Sequence, residues 1–100
     1  MPTFVLMTKL APGGVPSAQA RKAMGKKWLK KVKAACPQVK FVAHYAILGP
    51  YDFMDIYDAP DVETAHKVSL ISRSEGALSA ESWQALPYEG FLEILAQLKT

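Results

Sequence analysis

A turn signal, Leu48-Gly49-Pro50-Tyr51, separates two stretches in which side chains alternate along the chain, Val39 to Leu48 and Tyr51 to Ala59. Alternation is the period of a strand, and a two-residue glycine-led turn only has room to reverse the chain, so the two stretches pair antiparallel. Gly49 is expected at the first central position of a type II′ turn, where positive φ suits glycine, with Pro50 at the second. Counting outward from that turn sets a register. Leu48 faces Tyr51, Ile47 faces Asp52, Ala46 faces Phe53, Tyr45 faces Met54 and His44 faces Asp55.

The flanking chain takes its elements from this hairpin. Thr3 to Leu10 is apolar on both alternating sets, as a central strand is, and Ala11-Pro12-Gly13-Gly14-Val15-Pro16 takes the chain out of the sheet as a loop. Ser17 is placed to cap a helix over Ala18 to Ala35, in which Ala20, Met24, Trp28 and Val32 recur every four positions and Pro37 follows the end. After the hairpin, Asp61 caps a second helix ending near Ser74, with Val62, Ala65, Val68 and Ser72 on one face. Ala77 to Leu86 fits a fourth strand on element order, although its pattern also admits a helix. Pro87 opens a last helix carrying Phe91, Leu92, Leu95 and Leu98. The expected fold is α+β, a ferredoxin-like βαββαβ plait with an extra C-terminal helix, and residues 1–100 form one domain.

If helices cover one side of this sheet, the hairpin offers two candidate faces. Phe41, Ala43, Tyr45, Ile47, Met54 and Ile56 suit the helix-packed side. Val42, His44, Ala46, Leu48, Tyr51, Phe53, Asp55 and Tyr57 then form the open side, which is too apolar for water and predicts a homo-oligomer packed through it. On that wall His44 and Asp55 lie side by side, where a carboxylate can fix the histidine tautomer for proton transfer or simply satisfy it structurally. Asp52, beside the turn, is read as a cap for backbone N–H groups.

Composition removes several function classes. Half the residues are hydrophobic, enough to bury a core without disulfides or metals. The single cysteine, Cys36, has no internal partner and is read as inert, and no start segment resembles a secretion signal, which together place the chain in a reducing cytoplasm. The apolar runs are too short for the ~20 residues of a membrane helix. Cys36, His44 and His66 lack metal-ligand spacing, Gly13-Gly14 lacks a phosphate-loop pattern, and no cofactor is expected. Net charge is +3, but Arg21, Lys22, Lys26, Lys27, Lys30, Lys31 and Lys33 crowd one segment; a solvated helix face is the simpler reading, with anion or nucleic-acid binding behind it.

The opening Met1-Pro2-Thr3-Phe4-Val5-Leu6-Met7-Thr8-Lys9-Leu10, the central Leu48-Gly49-Pro50-Tyr51-Asp52-Phe53 and Ala59-Pro60-Asp61 resemble the small bacterial GYD-domain family. Its Gly-Tyr-Asp signature is interrupted here by Pro50 between Gly49 and Tyr51. The resemblance implies a ferredoxin-like domain of the dimeric α/β-barrel type, and neither a reaction nor a catalytic residue. A similar stretch in the ligand-binding domains of leucine-responsive-type regulators lies near an effector pocket at a subunit interface, an analogy at fold level.

Three functions stand in order from these readings. The first is a small oligomeric module binding a small molecule through His44, Tyr51, Phe53, Asp55 and Tyr57. The second is a cofactor-independent enzyme, performing proton abstraction or oxygenation with His44 oriented by Asp55. The third is anion or nucleic-acid binding through the basic helix, where aromatic interleaving is limited to Trp28.

Overall fold

A computed structural model describes residues 1–13 and 17–98. Along the chain run β1 (Thr3–Leu10), α1 (Ala18–Ala35), β2 (Lys40–Ala46), β3 (Phe53–Asp58), α2 (Val62–Ser74), β4 (Ala77–Ala85) and α3 (Tyr88–Gln97). The loop expected over Ala11 to Pro16 falls partly outside the described residues. The strands form one antiparallel sheet in the order β2-β3-β1-β4, the arrangement of a ferredoxin-like plait, with β1 central as its two-sided apolar pattern predicts. None of the helices in the described chain is long and apolar enough to cross a membrane.

Both N-caps are where short oxygen-bearing side chains stand in the sequence. Ser17 Oγ accepts from the Ala20 amide at 3.1 Å, and Asp61 Oδ1 accepts from the Thr64 amide at 2.8 Å. Hydrogen bonds from Thr64 also hold the exposed Asp61 carboxyl below its ordinary range. α2 ends at Ser74, and the chain then turns through Gly76, whose φ of 106° is a backbone state that a side chain would strain.

The hairpin register is as counted, with His44 opposite Asp55, Tyr45 opposite Met54 and Ala46 opposite Phe53. The turn is not. Gly49 does not adopt positive φ, and the strands stop at Ala46 and Phe53, so a wider loop replaces the II′ turn, closed by the Ile47 amide donating to the Asp52 carbonyl at 2.9 Å.

The face assignment is reversed for β3 and for β2 from Ala43 onward, while Phe41 faces the helices as expected. β1 sends Phe4, Leu6 and Thr8 into the core, and these lie directly opposite Tyr57, Asp55 and Phe53, so that set of β3 faces the helices. Both faces of the hairpin are apolar, and pairing with β1 decides between them. A bulge at Val42 shifts β2 by one residue, turning Phe41 inward against Tyr57, at 5.7 Å between ring centroids, while Ala43 pairs with Ile56 on the other side. The uncovered side therefore carries Val5, Met7, Ala43, Tyr45, Met54, Ile56 and Trp83.

Beneath the helices, Phe4, Leu6, Val32, Cys36, Tyr57, Ala59, Ala65 and Val68 form the core. Burying each large member contributes about 1.5–3 kcal/mol. Tyr57 is fully buried, with Phe4 stacked at 5.6 Å, and its hydroxyl reaches Ser82 Oγ at 2.7 Å, which meets Ser69 Oγ at 2.8 Å. Burial pushes both the Tyr57 hydroxyl and the Cys36 thiol upward, and Cys36 packs as a core residue.

α3 behaves differently from the other helices. Its backbone approaches no other element among the described residues, and Phe91, Leu92, Ile94, Leu95 and the following Leu98 are 41–56% exposed. The molecule is correspondingly long, 53 × 30 × 18 Å.

Candidate functional site

A cavity of about 640 Å³ opens between the N-terminal half of α1 and the helix-covered face of the sheet. Its helical wall consists of Ala18, Arg21, Lys22, Gly25, Lys26, Trp28 and Leu29, residues spaced by three and four that share one side of a helix. The sheet supplies Thr8, Phe41, His44, Phe53 and Asp55, and the C-terminal end of α2 adds Ser72 and Glu75.

His44 Nδ1 and Asp55 Oδ1 are in direct hydrogen-bond contact across the β2–β3 pair. The two side chains meet solvent unequally: that of Asp55 is 6% exposed and that of His44 61%. Burial pushes the Asp55 carboxyl above the ordinary carboxylate range, and the adjacent His44 offsets this only in part. With Nδ1 held by Asp55, Nε2 is the imidazole atom left to meet a ligand. A proton relay or a polar anchor is within the chemistry of such a pair.

Aromatic groups surround it. Phe53 stacks against His44 at 5.4 Å on one side, and the Arg21 guanidinium lies 5.5 Å from the Phe53 ring centroid. Trp28 packs on Phe41 at 5.2 Å, and its Nε1–H donates to Ser72 Oγ at 2.8 Å, while that hydroxyl donates to the Val68 carbonyl at 2.8 Å. Glu75 accepts from Lys31 Nζ at 2.8 Å, with Lys27 at 3.9 Å, and the Lys31 hydrogen bond holds its carboxyl below the usual range.

Of the five residues singled out from sequence, the structure brings His44, Phe53 and Asp55 to this cavity. Tyr57 is in the core behind it. Tyr51 lies on the opposite side of the sheet, its hydroxyl donating to Glu81 Oε2 at 2.9 Å and its ring meeting Trp83 edge-on at 5.9 Å. Sequence reasoning missed Trp28, Phe41 and the α1 cations as lining residues. The signal was available in the heptad-like recurrence of Ala18, Lys22, Gly25 and Leu29, a face of small and long residues that packs poorly on a sheet.

The Tyr51-Asp52 pair is a clamp. Asp52 Oδ2 accepts from the Leu10 amide at 2.7 Å, and the Asp52 amide donates to the Thr8 carbonyl at 2.8 Å, so the loop is tied to the end of β1. Tyr51 reaches across β1 to β4. Asp52 thus has the backbone-capping role expected of it.

Comparison with known proteins places this architecture in a group. Over 102 residues the chain is 29% identical to a Thermus thermophilus protein described as a glutamine synthetase and cystathionine beta-lyase binding protein, covering 99% of this chain and all of that one. A crystal structure of a Thermus thermophilus protein, 26% identical, superposes with a TM-score of 0.56 over 87% of this chain and 95% of the other. A hypothetical protein from Pyrococcus horikoshii shares the fold at 18% identity, TM-score 0.52, with 87% and 92% covered. The GYD-domain family model matches residues 4–95, nearly the whole chain, and the protein is a member of the GYD-domain family.

Proposed function

We propose that this protein is a cytoplasmic homo-oligomeric binding module that holds a small molecule between α1 and the sheet. The cavity carries the reading: at about 640 Å³ it has the size of a small-molecule site, with aromatic walls and one polar pair at its floor. Second-copy packing on the uncovered sheet face, in the dimeric α/β-barrel manner, is supported by its exposed Tyr45 and Trp83 and by α3, whose backbone approaches no other element among the described residues.

Gly25 provides the test, because a Cβ built there meets nothing within 4 Å and a large side chain would fill the cavity. Metabolites that raise the melting temperature of the wild type should fail to do so for Gly25→Trp. A broad library without any stabiliser, or equal shifts in both proteins, would rule the cavity out. Sedimentation equilibrium addresses the assembly, and a monomer throughout the micromolar range would remove that part.

A second reading has its own support. The Thermus relative is described as binding two enzymes, and the half-exposed apolar residues of α3 offer this chain a surface for a protein partner. Catalysis by His44, oriented by Asp55, belongs to the first reading as an extension. Turnover of any ligand found, unchanged in His44→Ala, would exclude it.

A further inference from the structure

The charges around the cavity are not balanced. Its two acids are already engaged, Asp55 with His44 and Glu75 with Lys31. Among its cations, Arg21 lies over the Phe53 ring, and Lys22 and Lys26 form no ion pair among the described residues. Four positions apart on α1, Lys22 and Lys26 stand on one side of the helix, at the edge of a space whose interior is Trp28, Phe41 and Phe53. Nearby Lys27 and Lys31 turn instead to Glu75, so within the basic run a structural pair stands apart from the three cations that line the cavity, and Lys30 and Lys33 belong to neither group.

Resting on the assignment of this cavity as the binding site, we propose that its ligand is a small organic anion with a flat apolar body. The ring system lies among Trp28, Phe41 and Phe53, and its carboxylate or phosphate faces Lys22 and Lys26, beside Arg21. An apolar cavity lined by aromatic rings favours a flat apolar body through area removed from water, while the exposed cations at its rim select charge sign. The same cavity disfavours a nucleic-acid strand, which needs an open groove that tracks its backbone.

The two tryptophans supply an internal control, since Trp28 lines the cavity and Trp83 stands on the opposite sheet face. Four probes would be titrated against the ¹⁵N-labelled protein: 2-naphthoate, 2-naphthyl phosphate, 2-naphthalenemethanol and 2-naphthylmethylamine. The expected result is movement of the Trp28 indole cross-peak, not that of Trp83, with at least one anion bound about tenfold or more tightly than the alcohol and the amine. The tighter anion distinguishes carboxylate from phosphate. Combined Lys22→Gln and Lys26→Gln should then weaken the anion about tenfold and leave the alcohol unchanged. Equal affinities for all four probes would overturn the anion inference while leaving the cavity as a binding site. No Trp28 response to any probe, or a response of Trp83 alone, would overturn both.

Discussion

α1 and α2 cover the same face of one sheet and meet it in different ways. α2 presents Ala65, Val68 and Ser72, all buried, and its backbone comes close to β4 and β1. Among the described residues the backbone of α1 approaches α2 but no strand, because its inward residues include Met24, Trp28 and Leu29, and the side chains at a contact set the distance between elements. Trp28 acts as a strut, braced on Phe41 and hydrogen bonded to Ser72. Toward the C-terminus Val32 closes the gap; toward the N-terminus Gly25 and Ala18 offer no large apolar side chain to fill it, the wall's other members there being the cations Arg21, Lys22 and Lys26, and the gap is left as the cavity. The loss of large apolar side chains toward the start of one helix is what separates core from site.

The largest way to break this contrast is Trp28→Ala. Loss of a partly buried indole and its hydrogen bond should cost about 3 kcal/mol in urea unfolding and let α1 settle toward the sheet. A cost under about 1 kcal/mol would mean that α1 is held off by something else.

A matched pair of enlargements is next. Ala65→Leu forces extra methylenes between α2 and the strands and should destabilise by about 2 kcal/mol. Gly25→Ala has the opposite sign: a Cβ there meets nothing within 4 Å, and removing a mid-helix glycine should stabilise by about 0.5–1 kcal/mol. Destabilisation by both would show that α1 and α2 are packed alike.

Much of the frame was legible because it depends on local signals. Ser17, Asp61, Pro37 and the alternation in β1 announce element ends and types, and the His44–Asp55 register follows from counting outward from the turn. The face of the hairpin was not legible, since Met54 and Ile56 are the more apolar set and yet Phe53, Asp55 and Tyr57 face the helices. A distant strand, β1, decides the face. The bulge at Val42 left no mark that glycine or proline would leave. The cavity was hidden for a related reason: periodicity identifies which helix side faces inward but not how far the helix stands from what it faces. Tyr51 and Asp52 were conspicuous as a signature, yet their contacts to Glu81, Leu10 and Thr8 are structural, whereas the cavity cations on α1 looked like ordinary solvated charge.

The smallest effect probes the polar floor of the cavity that α1 leaves open, where Asp55 is held by His44 on the neighbouring strand. Burial raises the Asp55 carboxyl from its ordinary value of 3.8, so the folded chain keeps that proton at a pH where the unfolded chain has released it. Between those two values the folded state binds more protons than the unfolded, and the contribution of Asp55 to stability falls as pH rises. Asp61 and Glu75, both held low, contribute the opposite slope, their stabilisation being lost as pH falls. Asp55→Asn deletes only the first of these slopes. Relative to wild type it should therefore become more stable as pH rises through the window above 3.8, with a difference within about 1 kcal/mol at neutral pH because an amide can still bond His44. Urea midpoints for the two proteins from about pH 3 to about pH 7 provide the measurement, where the carboxylate range lies. A parallel pair of profiles would show that Asp55 is as well solvated as a surface acid, and that α1 stands further from the sheet than its contact with Phe41 implies.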